Sequence, residues 1–280
     1  MKKIIAIVSL VTVLAFSLTG CMTLRNIPFG NTLTNADKYT AGDRTITDKV
    51  TGIDIDWASG SVTVKPHDAD TIEIHETLSR DDISDDERVQ SWVDGTTRRI
   101  AYQKTSSASL ININNVKKDL EVLVPASYAY SFLDIDAASA AVNIEGIDTD
   151  GLAVSVASGE TVIIDTRAEK ADLSSASGSM TMKGCTADTL EIDTASGAQK
   201  LSFSAAPKKA DIHSASGDVE ILLPKDAGVT AKINTASGKV SYDLPMTKEK
   251  NRYIAGDGSA EFEIDTASGD VRFRGQVPND

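Results

Sequence analysis

Seven copies of Ala-Ser-Gly, starting at Ala58, Ala157, Ala176, Ala195, Ala215, Ala236 and Ala267, constrain this 280-residue chain more than any other feature. Ala138-Ser139-Ala140 is a degenerate eighth copy, and successive copies are 80, 19, 19, 19, 20, 21 and 31 residues apart. A period near 20 marks a protein made of stacked supersecondary units. It is also the length of one coil of a β-solenoid.

Aligning the copies on the Ala gives columns. Three residues before it stand Ile55, Ile135, Val154, Leu173, Ile192, Ile212, Ile233 and Ile264. Five before it stand Ile53, Leu133, Leu152, Ala171, Leu190, Ala210, Ala231 and Phe262. Six after it stand Val64, Ile144, Ile163, Met182, Leu201, Ile221, Tyr242 and Phe273. The column four after it is apolar in six copies, and the residues between are mostly polar. Period-two alternation on both sides of a small-residue corner predicts strand, corner, strand. One coil cannot bury its apolar face alone. Coils stacked in parallel register, with equivalent positions ~4.8 Å apart, can. The expected fold is all-β: a parallel β-solenoid over residues 50–280.

The corner has a structural reading. Gly accepts a positive φ, Ala is small enough to stack on its copy, and serines in register can pass hydrogen bonds along the stack. The Ser column resembles a nucleophile written eight times, but no His or Lys column accompanies it as a base. The column two before the Ala (Asp56, Asp136, Ser155, Ser174, Asp193, His213, Asn234, Asp265) reads either as calcium ligands or as a solvated polar face. Interruption by Ser and His, and the lack of Gly-rich calcium coils, favour the solvated face. Cys185 aligns with Ile147 and is expected to be a small buried hydrophobe. His67, His75 and His213 show no ligand spacing, and no cofactor or metal is expected.

The start of the chain reads differently. Lys2 and Lys3 precede an apolar run that closes on Leu18-Thr19-Gly20-Cys21, the pattern of a secretory signal over residues 1–20. Leu-Thr-Gly-Cys resembles the lipobox of bacterial lipoproteins. That resemblance implies cleavage before Cys21 and its acylation by fatty acids such as palmitate. It thus implies an extracytoplasmic protein anchored in lipid at the cell membrane or outer membrane. Residues 21–49, rich in Thr, Asn and Asp, read as a flexible tether. The stretch 65–130 reads as either degenerate coils or a paired-strand cap over the open solenoid end, with an acidic loop at residues 81–87.

The formal charge is −13 and aromatics make up 5% of the residues, which disfavours nucleic acid as a partner. The long last interval places an insertion at residues 246–259, and insertions in solenoids often form the binding face. It carries Lys248, Lys250, Arg252 and Tyr253 on an acidic body, a candidate loop for an anionic partner.

The pattern apolar-x-apolar-Asp-Thr-Ala-Ser-Gly-Asp-Val, a Leu-x-Val-x-Val-Pro strand at residues 120–125, and Gly256-Asp257-Gly258 before the last copy are similar to one bacterial family. It is the domain-of-unknown-function family called putative adhesins, and the match covers residues 50–273. The resemblance implies a right-handed β-solenoid at the cell envelope and supplies no catalytic residues. Ala140 departs from the corner Gly. Three functions stay open: a non-enzymatic envelope lipoprotein, taken as a monomer, whose faces bind a protein or glycan; a component of an envelope stress response; or a polysaccharide-active β-helix enzyme. The first is favoured, because the outward columns show no groove of clustered acids or cations across neighbouring coils.

Overall fold

The computed structural model describes residues 33–104 and 116–276. The signal segment, Cys21 and the first part of the tether lie outside the described residues. Among those described there is one 3-10 turn, Asp85–Glu87, and no α-helix. The coils are parallel β-strands in register, so the β-solenoid expected from the columns is the fold. Residues 24–160 form one compact unit and residues 161–280 belong to another.

In the first unit, Gly52–His67 lies parallel to Tyr130–Glu145, with Ile53 opposite Leu133 and Ile55 opposite Ile135. Tyr130–Glu145 in turn pairs with Asp148–Ser158, adding Leu152 and Val154 to the same two columns. All six side chains are at most 2% exposed. Burying each contributes on the order of 1.5–3 kcal/mol, so the columns are the main source of stability. Ala140, opposite Gly60, needs no corner glycine: its φ is not positive and the strand runs straight through it.

The stretch with two open readings proves to be one coil plus a cap. Thr97–Ala101 and Lys118–Pro125 pair parallel with the two halves of Gly52–His67. Beyond them the pairing turns antiparallel: Gln90–Asp94 on the first, Ile72–Leu78 on the second. Thr40–Ala41 and Arg44–Ile46 complete this layer, so strand pairing begins inside the stretch read as a tether. A buried ion pair sits beneath the cap. Lys118 Nζ lies 3.3 Å from Glu76 Oε1 and donates to the Tyr102 carbonyl at 2.9 Å, while the Val89 amide donates to Glu76 at 2.9 Å. Burial pushes the Lys118 ammonium down and the Glu76 carboxylate pulls it back up. Such a buried charge needs partners: Lys118 has them, while Glu76 Oε2 has only Arg88 Nε at 3.7 Å.

The second unit stacks its coils out of chain order. On one sheet the order is Arg167–Ser177, residues 186–196, Lys209–Ser216, Ala260–Ser268, then Val229–Ser237. The other sheet agrees, with Val271–Gln276 lying between Val219–Pro224 and Val240–Tyr242. The last copy of the repeat is therefore inserted between two earlier ones. The long interval supplies the route: the chain passes beyond the free slot, turns through a hairpin and comes back to fill it. Gly256-Asp257-Gly258 forms the return. Asp257 accepts from the Ser259 amide at 3.0 Å, and the Gly258 carbonyl accepts from Thr230 Oγ1 at 3.0 Å.

The corners explain the repeated glycine more sharply than backbone freedom alone. Gly217 has φ +133, and a Cβ there would overlap the carbonyl oxygen of Gly197 in the next coil. Ala-Ser-Gly thus lets adjacent backbones pack at sheet spacing through the bend. The serines do stack in register, as Ser177, Ser196, Ser216 and Ser268. The hydrogen bond seen runs to backbone rather than from serine to serine: Ser196 Oγ donates to the Ala176 carbonyl at 3.3 Å. Cys185 is buried, its thiol donating to the Ile163 carbonyl at 3.3 Å, and burial pushes its pKa up.

Candidate functional site

The insertion read as a loop is a β-hairpin, Met246–Glu249 and Arg252–Ala255. Its second strand pairs antiparallel with Val229–Ser237 and so continues the outward sheet of the second unit. Alternation then separates the four residues singled out in the sequence. Tyr253 lies opposite Ala231, on the core side, and is 4% exposed. It packs edge-on against Tyr242 with ring centroids 5.8 Å apart, and Lys248 Nζ lies 5.1 Å over its ring. Tyr253 is therefore a core residue that closes the end of the sheet, and it does not offer its ring to a partner. Lys250 sits in the turn with φ +59. Only Arg252 points to the outward face.

There it joins residues that the columns placed on the surface but could not bring together. Across this face the register sets Glu261 between Lys209 and Thr230, and Glu263 between Asp211 and Lys232. Arg252 lies opposite Lys232. These side chains border an open groove of about 220 Å³. Lys209 pairs with Asp211 at 2.6 Å, and Lys232 pairs with Glu263. Arg252 and Glu261 take part in no ion pair among the described residues, so the groove keeps one charge of each sign for a partner.

A second row lies two residues further along the same strands. His213 stands between Asp193 and Asp265 in register, with Nδ1 3.7 Å from Asp265 Oδ2. Asn234 donates to Asp265 at 2.7 Å and Asn251 donates to Asn234 at 3.0 Å. Burial pushes the Asp193 carboxyl up, opposed by His213 and reinforced by Glu191 and Asp172. Chain order would have put Asn234 beside His213. The inserted coil puts Asp265 there instead. Among the described residues no group of three or more His, Cys, Asp or Glu is arranged to hold a metal ion.

Such a face can present charges of both signs at fixed ~4.8 Å steps on a rigid backbone. Lys209, Lys232 and Glu261 were legible as outward positions. Their convergence on Arg252 was not, because it depends on the hairpin and on the inserted strand.

The fold and this face define a class: a capped β-solenoid of parallel, column-matched coils that carries a charged, mixed-sign sheet face. Within that class the chain belongs to the Toastrack DUF4097 family, whose sequence pattern matches residues 50–206 and 200–274. Among solved structures the chain is similar to a putative cell adhesion protein from Clostridium sporogenes, at 11% identity over 84% of this chain and 100% of that one, with a TM-score of 0.40. It is also similar to a putative adhesin from Bacteroides fragilis, at 11% identity over 83% and 95%, with a TM-score of 0.44. A third is a putative lipid binding protein from Parabacteroides distasonis, at 12% identity over 84% and 97%, with a TM-score of 0.38. No curated protein matches the chain.

Proposed function

We propose that this protein is a non-enzymatic envelope lipoprotein, anchored through Cys21, that binds an extended, charged protein or glycan along the outward face of its second unit. The observation that carries the reading is the groove beside the hairpin, where Arg252 and Glu261 have no ion-pair partner among the described residues, between neighbours that neutralise each other. A partner bearing both signs satisfies both residues without breaking an existing ion pair. Electrostatic pairing of this kind gives specificity and on-rate more than raw affinity. The corner serines favour binding over turnover, because Ser196 spends its hydroxyl hydrogen on a backbone carbonyl.

The test is a glycan array and an envelope pull-down with the purified protein, read again for Arg252→Ser and Glu261→Gln. Each variant is expected to weaken binding and flatten its salt dependence while leaving Tm unchanged. Equal binding by the parent and both variants removes this face from consideration. Release of sugar from an envelope polysaccharide by the purified protein overturns the non-enzyme reading.

A further inference from the structure

Directly before each Ala-Ser-Gly lies a third inward column that alternation alone required. In the first unit it is apolar: Trp57, Ala137 and Val156, each at most 1% exposed. In the second unit every member is a hydroxyl. Register places Ser175, Thr194, Ser214, Thr266 and Thr235 side by side on five consecutive strands. The first four are at most 2% exposed.

Four of these five hydroxyl oxygens, those of Ser175, Ser214, Thr266 and Thr235, are buried without a hydrogen-bond partner among the described residues. Thr194 differs, since it donates to the His213 carbonyl at 3.5 Å and accepts from Gln199 Nε2 at 2.6 Å. That bond leaves Gln199 Oε1 as a fifth buried acceptor without a partner, in a side chain only 1% exposed. A buried polar atom left unpaired is destabilising, because it gives up its hydrogen bonds to water and gains none. Four in one row of a regular fold, with Gln199 Oε1 beside it, point to a ligand that the row is built to bind.

The spacing identifies the ligand. Neighbouring strands set the hydroxyls about 4.8 Å apart, too far for a direct hydrogen bond. Two hydrogen bonds of about 2.8 Å meeting at one oxygen near the tetrahedral angle span about 4.6 Å. A water between successive hydroxyls therefore fits the rungs, and buried waters hold two to four such bonds.

We infer that the interior of residues 161–276 binds a file of water molecules along the hydroxyl column, one in each interval of Ser214, Thr266 and Thr235, with Gln199 Oε1 accepting from a further water. The waters satisfy the seam beneath the corners and are part of the folded core. In the first unit the same column is filled by apolar side chains.

The test has two readouts on the full chain. An atomic-resolution crystal structure is expected to show an ordered water between Ser214 and Thr266 and another between Thr266 and Thr235. Oxygen-17 relaxation dispersion is expected to count long-lived internal waters in solution, and Thr266→Val should remove two of them. Thr266→Val should also lower Tm, because its neighbours lose their bridging partners. A dry, side-chain-filled column in the crystal overturns the inference. So does an unchanged water count in Thr266→Val, or a Tm that rises, as removal of a truly unpaired hydroxyl would make it do.

Discussion

Asp56 offers a measurable link between register and stability. It lies on Gly52–His67 opposite Asp136, while its neighbour Asp54 lies opposite Asp134. Four carboxylates thus share one patch of the first unit, and Arg99, paired with Asp54, opposes them. Burial, then Asp54, Asp136 and Asp134, pushes Asp56 up to about 8 against the pull of Arg99. An unfolded Asp titrates near ~3.9. Between those values the folded chain holds a proton that the unfolded chain has released, so stability falls as pH rises. At ~1.4 kcal/mol per pH unit, a gap of about four units sets a ceiling of roughly 5 kcal/mol. Residual hydration and sharing of the proton within the cluster reduce this to about 2–3 kcal/mol. For a protein of this size that is on the order of 5–10 °C in Tm. Asn mimics the protonated acid. Asp56→Asn should therefore match the parent below about pH 4, where Asp56 is protonated in both states, and melt higher by that amount at pH 9, in calorimetry at low salt. Parallel Tm curves for parent and variant from pH 5 to 9 refute the reasoning.

Three further outcomes follow from the fold. Ile192 is fully buried between Leu173 and Ile212, so Ile192→Asp should cost several kcal/mol in denaturant unfolding; an unchanged midpoint contradicts the column assignment. Ser196→Ala, which removes one hydrogen bond to the next coil, should cost only ~1 kcal/mol in the same experiment. Gly217→Ala forces a Cβ onto the Gly197 carbonyl at positive φ and should cost at least ~1–3 kcal/mol, where an Ala at a relaxed site is neutral. For the anchor, Cys21→Ser should leave unprocessed precursor without lipid label in membrane fractions, and normal processing of that variant would disprove lipidation.

The hairpin shows why sequence reading of the candidate site went part of the way. Lys248, Lys250, Arg252 and Tyr253 were visible as an insertion, and as cations on an acidic chain. Which of them face out depends on strand alternation within the hairpin. That alternation places Tyr253 over Ala231 in the core and leaves Arg252 on the surface. Lys209 and Lys232 gave no local signal beyond their outward place in the alternation. They matter through neighbours that are 20 or more residues away in the chain.

The sequence by itself determined the coil. Period-two alternation in every copy fixes which side chains turn inward, because a one-residue slip would turn the whole apolar set to water. The third inward column follows from the same alternation. What only the tertiary structure decided is which coil lies next to which. Every coil carries the same columns, so each matches any other in register, and the pattern cannot rank neighbours. The order was settled by the connections: a hairpin long enough to pass the free slot, and a Gly-Asp-Gly return that brings Ala260–Ser268 back between Lys209–Ser216 and Val229–Ser237. The antiparallel cap was settled in the same way, because an open solenoid end must be covered and the repeat holds no information about what covers it.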